Sequence, residues 1–189
     1  PRPETELIVE EALKIFEVKC SKRLLDIGTG SGCVIISILK ERPKANGKAI
    51  DICKKALKIA KYNAKIHHLE NKINFVNIDI DKFIDSKYDL IVSNPPYIKS
   101  FDLKRLDSDV NLYEPRIALD AGIDGFRKIK KLITKSKNLL KTNGKLIFEI
   151  GKGQDRFTKF FLKMNGFYIN KISRDINFIP RVVVSTKIL

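Results

Sequence analysis

Residues 88–97 have the sequence YDLIVSNPPY, which places an apolar run of strand length directly before Asn94-Pro95-Pro96-Tyr97. The run is rich in residues that favour strands. Two prolines cannot continue a strand interior, because each lacks the backbone N–H that a ladder needs. We therefore expect the strand to end at Ser93. The next four residues then lie at its carboxyl end, where open α/β sheets bind ligands.

The chemistry of these four residues suits a planar NH2 group. The side-chain oxygen of Asn94 and the carbonyl oxygen of Pro95 are two neighbouring acceptors, and an NH2 group has two hydrogens to donate. Tyr97 can lie flat against the same planar group. We expect a site that holds an amide or a base amine and aims its nitrogen. A Pro-rich turn capped by Asn94 is the alternative that these residues alone leave open.

A second motif, DIGTGSG from Asp26 to Gly32, joins a predicted strand over 23–27 to an apolar helical run over 33–39. Its glycines allow positive φ angles and let a ligand approach the backbone closely. The spacing is GxGxG, tighter than the GxGxxG of dinucleotide sites. A pyrophosphate-binding turn is therefore the less favoured interpretation.

Two further strand ends carry side chains suited to a nucleoside. The second predicted strand, 48–51, ends on Asp51, which lies 23 residues after Gly28. A carboxylate there can accept both hydroxyls of a ribose, and it can also cap a helix predicted over 53–68. Asp79 and Ile80 follow the third strand, 73–76, where Ile80 can cover an adenine ring and Asp79 can fix the loop. An ordinary surface loop is the alternative for this pair.

The order of the predicted elements indicates an α/β fold. A loop over 1–6 precedes an amphipathic helix with Ile8, Ala12, Ile15 and Phe16 on one face. Strands and helices then alternate through five strands, and a helix and a final strand pair follow. The later elements are helices from Gly125 to the Asn143-Gly144 pair and over 154–165, and strands over 145–150, 167–173 and 181–187. This order predicts a doubly wound parallel sheet with helices on both faces, an antiparallel last strand, and first and fourth strands that are neighbours.

Composition limits the class of protein and leaves the partner open. The chain has 189 residues, of which 43% are hydrophobic, enough for one domain with a sizeable core. We expect no signal peptide, and the sequence has no apolar run of the ~20 residues that span a membrane. Three cysteines without paired spacing are typical of a reducing cytosol, and with two histidines they predict no metal site. A net charge of +15 suits nucleic acid, although the even spread of lysines favours a compositional bias.

Together the motifs predict methyl transfer from S-adenosylmethionine to an amine. The acid would bind the ribose, the glycines would lie against the amino-acid moiety, and the two acceptors would hold the target NH2 group. The first and fourth strands bring these groups to one crevice.

Here a resemblance becomes explicit. Asp26 to Gly32, Asp51 and Asn94 to Tyr97, at this spacing, resemble the class I S-adenosylmethionine-dependent methyltransferases that act on NH2 groups. More narrowly, four segments resemble the HemK/PrmC family, namely 1–6 (PRPETE), 94–98 (NPPYI), 113–119 (YEPRIAL) and 122–125 (GIDG). That family methylates the glutamine of the Gly-Gly-Gln motif in class I peptide chain release factors. The second segment is shared with DNA-adenine and RNA-guanine enzymes, so the first and third single out the glutamine family.

The resemblance covers nearly the whole chain and implies one catalytic domain over 1–189 with a Rossmann-like, mostly parallel, seven-stranded sheet. It implies cofactor contacts from Gly28, Thr29, Gly30, Ser31, Gly32, Asp51, Ile80 and Asn94. It implies that Asn94, Pro95, Pro96 and Tyr97 hold the glutamine amide, without a metal.

Two departures from the family affect what we expect. Ile80 stands where the family often has an aromatic residue, so adenine stacking should be weaker. The family's small helical domain has no counterpart from Pro1 onward, so docking of the release factor should be weaker too. Two rival hypotheses are a nucleic-acid exocyclic-amine methyltransferase and a non-catalytic fragment that binds S-adenosylmethionine.

Overall fold

The computed structural model describes residues 3–16, 21–85, 87–95 and 124–188. Within these ranges the chain forms seven strands and five helices. The strands are β1 (Arg23–Ile27), β2 (Asn46–Asp51), β3 (Ile73–Asn77), β4 (Tyr88–Ser93), β5 (Leu140–Glu149), β6 (Phe167–Arg174) and β7 (Pro180–Lys187). The helices are α1 (Pro3–Ile15), α2 (Cys33–Glu41), α3 (Lys54–Ile66), α4 (Asp124–Leu139) and α5 (Asp155–Met164).

All seven strands join one sheet in the order β3-β2-β1-β4-β5-β7-β6. The pairs from β3 through β5 are parallel, and β7 runs antiparallel to both β5 and β6. The predicted mostly parallel, doubly wound sheet with an antiparallel last strand is confirmed. Strand β1 pairs with both β2 and β4, so the first and fourth strands are neighbours and the direction of winding reverses between them.

A hydrophobic core lies on each face of the sheet, because successive side chains along a strand point to opposite faces. Leu24 and Ile147 belong to a core that packs under α1 and α2, whereas their chain neighbours Leu25 and Phe148 belong to a core under α4 and α5. Helices therefore cover both faces, as the sequence predicts.

Helix α1 is fixed to the body of the protein by both apolar and polar contacts. Ile8, Ala12 and Phe16 are buried in the first core. The carboxylate of Glu11 accepts hydrogen bonds from Lys171 Nζ at 2.7 Å and from Ser173 Oγ at 3.1 Å, both on β6. Burial acts to raise the pKa of Glu11, but hydrogen bonds from Lys171 and Lys14 outweigh it and hold the pKa below its ordinary value. The helix is thus a rigid support for whatever its first turn contacts.

Three predicted details of the secondary structure are wrong. The loop over 1–6 is helical from Pro3 onward, because proline's fixed φ and missing N–H suit the first turn of a helix. Helix α4 ends at Leu139 rather than at Asn143-Gly144, and β5 begins at Leu140 rather than at Lys145, because Leu140 is fully buried and already pairs with Tyr88. The alternation of strands and helices also fails once, since residues 78–85 between β3 and β4 form turns without a helix.

The described residues hold neither a membrane-spanning helix nor a cluster of metal-binding side chains. None of the helices there is long and apolar enough to cross a membrane. Within the same residues, no group of three or more His, Cys, Asp or Glu side chains is placed to hold a metal ion.

Candidate active site

Three of the predicted site residues lie in one row at the carboxyl edge of the sheet. Ile27 of β1 is in register with Ile50 of β2 and with Ser93 of β4. The next residue on each strand is therefore Gly28, Asp51 and Asn94. Neighbouring strands lie about 4.8 Å apart, so the backbones of Asp51 and Asn94 are separated by about 10 Å, with Gly28 between them. The structure thus brings the start of the glycine motif, the acid and Asn94 to one edge of the sheet.

The loop after β1 is held by backbone hydrogen bonds to β2, and two of its glycines face open space. Gly28 N and Thr29 N both donate to the carbonyl oxygen of Ile50, at 2.9 and 3.1 Å. Gly28 and Gly30 adopt positive φ angles of 71° and 57°. A Cβ added at either glycine would meet no atom within 4 Å. These two glycines therefore present bare backbone to an open space.

Gly32 has a different role from the other two glycines of the motif. Its φ angle is 80°, and an added Cβ would lie 3.1 Å from both the Ala60 side chain of α3 and the Ile36 side chain. Its missing side chain lets α2 begin close against α3. A ligand contact by Gly32 stays a prediction, while its packing role is directly visible.

Asp26 is a buried carboxyl group beneath the loop. It is 2% exposed, and its Oδ2 accepts the Thr29 hydroxyl at 2.7 Å. Burial raises the pKa of Asp26 to about 7, against the opposing effect of the Thr29 hydrogen bond. Asp51 contributes a smaller upward shift of the same pKa by charge repulsion.

Asp51 links the loop after β1 to the turn before α3. Its Oδ2 accepts Gly30 N at 2.9 Å, and its Oδ1 accepts Cys53 N at 2.8 Å. The N-cap residue of α3 is Cys53. The predicted capping role of Asp51 is therefore wrong, and Asp51 instead binds the backbone N–H of the cap residue. Asn77 Nδ2 donates to the Asp51 carbonyl at 2.9 Å, which fixes the backbone on the other side. An ionised carboxylate has about four acceptor positions. Two are used here, and the side chain keeps capacity for a ligand.

The loop after β3 is held by its own acid. Asp79 Oδ1 accepts the backbone N–H of Asp81 at 2.8 Å and Lys131 Nζ at 2.8 Å. The Asp81 hydrogen bond and then Lys131 hold the pKa of Asp79 below its ordinary value. The prediction that Asp79 fixes this loop is confirmed. Ile80 is half-buried against the second core, and its contact with an adenine ring stays a prediction.

The loop's Ser31 is also fixed, because Asn63 Nδ2 of α3 donates to its carbonyl oxygen at 2.9 Å. At the other end of the row, Ser93 Oγ donates to the Ile27 carbonyl at 2.8 Å and clamps the end of β4 to β1. Both contacts hold backbone segments whose neighbours are predicted to touch ligands.

Asn94 has one side-chain hydrogen bond among the described residues. Its Nδ2 donates to Thr5 Oγ1 of α1 at 3.1 Å. Asn94 and Pro95 are both half-buried. Pro96, Tyr97 and the segment 98–123, with its YEPRIAL motif, lie outside the described residues. The described residues therefore include only two of the four that would hold an NH2 group, and this role stays a prediction.

Two residues near the site were missed from the sequence. Thr5 was assigned to a loop, although it is 6% exposed and contacts Asn94. Glu149 follows Phe148, which pairs with Ser93, so it extends the row one strand beyond Asn94; it is 1% exposed. An acid that ends an apolar strand was the signal available for Glu149, as it was for Asp51.

Comparison with known proteins decides the family. The family model described as "Methyltransferase small domain" matches residues 5–107. The release factor glutamine methyltransferase of Rhodospirillum rubrum is 40% identical over 177 residues, which are 94% of this chain and 54% of that protein. The one of Thermodesulfovibrio yellowstonii is 34% identical over 189 residues, which are 99% of this chain and 68% of that protein. The chain belongs to the release factor glutamine methyltransferase family. It spans 54% of the length of the Rhodospirillum rubrum protein and 65% of the length of a third relative, from Caulobacter vibrioides, so their whole-protein activity is carried over only as a proposal.

Solved structures agree on the fold of this family member. A ribosomal protein L11 methylase from Lactobacillus delbrueckii subsp. bulgaricus superposes with a TM-score of 0.71 at 21% identity, covering 98% of this chain and 77% of that chain. Magnesium protoporphyrin IX methyltransferase from Synechocystis PCC 6803, solved with bound SAM, superposes with a TM-score of 0.67 at 15% identity, covering 97% and 77%. The Rossmann-like fold of class I methyltransferases is thereby confirmed.

Proposed function

We propose that this chain transfers a methyl group from S-adenosylmethionine to the glutamine side-chain amide of the Gly-Gly-Gln motif in class I peptide chain release factors. The observation that carries the proposal is the row of Asp51, Gly28 and Asn94 at the ends of three adjacent strands. The names of the relatives supply the substrate class.

The described residues fit the cofactor. The open space above Gly28 and Gly30 admits a ligand against bare backbone. Asp51 stands at the end of the neighbouring strand with acceptor positions left for two ribose hydroxyls. Ile80, half-buried after β3, offers an apolar surface for an adenine. When bound, S-adenosylmethionine supplies an electrophilic methyl group.

The part of the protein in the reaction is to position the amide and to accept its hydrogens. An amide nitrogen is a poor nucleophile, because its lone pair is delocalised into the carbonyl. Asn94 Oδ1 and the Pro95 carbonyl oxygen would each accept one of its N–H groups and fix the direction of the nitrogen. Positioning of this kind lowers a barrier by up to about 7–11 kcal/mol in well-oriented cases. The two acceptors also stabilise the positive charge that develops on the nitrogen.

A nucleic-acid amine is the second candidate substrate, and one surface favours it. Helix α3 carries five lysines and no acidic residue in its thirteen positions. Tyr62 on the same helix is 67% exposed. A cationic surface with an exposed aromatic ring suits single-stranded nucleic acid. The same clamp could then hold a flipped base.

One assay with a tritiated methyl donor separates these candidates. The purified chain is incubated in parallel with a class I release factor, with the same factor carrying Gly-Gly-Ala, and with tRNA, rRNA and DNA. We expect label only on the Gly-Gly-Gln factor. Label on a nucleic acid with none on the factor would promote the second candidate. Cofactor binding measured by calorimetry without any transfer would instead identify a non-catalytic binding module.

A further inference from the structure

Thr5 contacts the one side chain on which the proposed clamp depends. The residue lies in the first turns of α1, is 6% exposed, and its Oγ1 accepts Asn94 Nδ2 at 3.1 Å. The two residues are 89 positions apart in the chain. Helix and strand end are thus joined by a polar contact directly at the candidate site.

In the structure the NH2 end of the Asn94 amide faces Thr5, which leaves its oxygen end for the substrate. An asparagine side chain has a donor NH2 end and an acceptor oxygen end, and a half-turn about its last bond exchanges them. Only the oxygen can accept a hydrogen from an incoming amide. Because Thr5 engages the NH2 end, Oδ1 is the amide atom turned away from Thr5. In the part of the chain that the structure describes, no donor occupies Oδ1.

The support behind Thr5 is rigid. Two turns further along α1, Glu11 is 5% exposed and is held by Lys171 and Ser173 of β6. Ile8, which lies between them, and Ala12, which follows Glu11, are fully buried. A hydroxyl on such a helix holds a fixed place relative to the sheet, so it can orient the Asn94 side chain directly after β4.

We propose that Thr5 is a positioning residue that holds the Asn94 amide with its oxygen toward the substrate. The inference rests on the proposed function, because it assigns Thr5 a role through Asn94 in that reaction. Without the hydroxyl, Asn94 samples the reversed orientation, in which its NH2 group meets the NH2 group of the substrate.

The test compares Thr5→Val, which keeps the shape and removes the hydroxyl, with Thr5→Ser, which keeps the hydroxyl. We expect kcat on the release factor to fall about tenfold to a hundredfold in Thr5→Val and to stay within about threefold in Thr5→Ser. Cofactor affinity should change less than about twofold in both. Thr158→Val is the matched control, since Thr158 is a fully buried threonine on α5, on the opposite face of the sheet. It should leave kcat unchanged.

Two readouts exclude a merely structural role. In an Asn94→Ala background, Thr5→Val should cause no further loss of kcat, because the effect of Thr5 passes through Asn94. In ¹⁵N spectra, the side-chain amide signals of Asn94 should shift in Thr5→Val and stay in place in Thr5→Ser. Unchanged kcat in Thr5→Val, or equal losses in the two Thr5 variants, would overturn the proposal.

The spectra also separate this proposal from the proposed function. If the wild-type chain methylates no release factor, the proposed function fails, and the Asn94 signals still report on the contact. Asn94 signals that do not respond to Thr5→Val overturn the positioning role whatever the substrate is.

Discussion

The Gly30 amide donates to Asp51 Oδ2 at 2.9 Å, so the acid that ends β2 holds the loop that follows β1. Its other oxygen holds the backbone of Cys53 before α3. One carboxylate therefore fixes the two segments between which a nucleoside would lie. Its loss should affect both ligand binding and the shape of the site.

Asp51→Ala should weaken binding of S-adenosylmethionine by roughly tenfold to 150-fold, the value of one charge-assisted hydrogen bond of about 1.5–3 kcal/mol. It should also lower the melting temperature, because the Gly30 and Cys53 amides lose their acceptor. Calorimetry measures the affinity, and Glu70→Ala, an exposed acid near the amino end of β3, is the control. Unchanged affinity in Asp51→Ala would remove Asp51 from the cofactor site.

The strand ends of the site were predictable because residues that interrupt strands, such as glycine and proline, mark them in the sequence. Gly28 and Asn94 each directly follow a predicted strand, Asp51 ends one, and parallel strands bring their carboxyl ends to one edge. Sequence position therefore sufficed to group these three residues. The bounds of β1 and β4 were predicted correctly for the same reason.

The contacts between distant segments were not predictable. Nothing local distinguishes Thr5 from a loop residue, because its partner Asn94 lies 89 positions away. The three glycines of the loop also look equivalent in the sequence. Only the packing of α3 shows that Gly32 faces Ala60 whereas Gly28 and Gly30 face open space.

The glycines should therefore respond differently to alanine. Gly32→Ala meets both a positive φ of 80° and a 3.1 Å approach to Ala60, so we expect a loss of about 2–4 kcal/mol in unfolding free energy. Gly28→Ala meets only the φ strain, so it should lose about 1–2 kcal/mol and mainly weaken cofactor binding. Urea denaturation and calorimetry measure the two effects.

A double-mutant cycle checks the cause. Ala60→Gly should cost about 1 kcal/mol alone as a helix-interior glycine, yet it should recover part of the loss in Gly32→Ala by removing the contact. Additive losses in the double variant would show that the packing against α3 is not the reason for the glycine.

The buried Asp26 should make stability depend on pH. The folded protein keeps this carboxyl protonated up to its pKa of about 7, whereas the unfolded chain releases the proton near the ordinary value of 3.8. The free energy of unfolding that Asp26 contributes therefore falls as pH rises from about 4 to about 7, by at most about 1.4 kcal/mol per pH unit. Asp26→Asn removes the titration, so its stability relative to wild type should rise over that range and level off above it.

Denaturant melts of wild type and Asp26→Asn at pH 5, 6, 7 and 8 measure that difference. Asp155→Asn on α5 controls for the change of net charge. The result would contradict a protonated Asp26 in the fold if the difference in unfolding free energy between the two proteins did not change with pH. A difference that shifted towards a more stable wild type as pH rises would contradict it too.

The anchor of α1 has the opposite pH dependence. The pKa of Glu11 is held low in the fold, so the stability it contributes is present above its ordinary pKa of 4.5 and is lost as pH falls through the folded value. Glu11→Gln should cost about 1–3 kcal/mol near pH 7, because a carboxylate that is 7% exposed loses charge-assisted hydrogen bonds. Lys14→Ala should cost less than about 1 kcal/mol, since Lys14 is 60% exposed. Equal losses in both variants at pH 7 would contradict the contact with β6.

Asn94→Ala should strongly reduce turnover, to a measurable residual rate, and leave the fold intact. The side chain is half-buried at a strand end, and its one described hydrogen bond is to Thr5, so its removal opens no core. We expect kcat to fall at least a hundredfold, about the effect of deleting one preorganised hydrogen-bonding group at a reacting centre. The melting temperature should stay within a few degrees. Asn74→Ala, an exposed asparagine on β3, is the matched control and should retain full activity. A near-normal rate in Asn94→Ala would defeat the amide clamp, and a loss of several kcal/mol in stability would favour Asn94 as a structural cap of the turn.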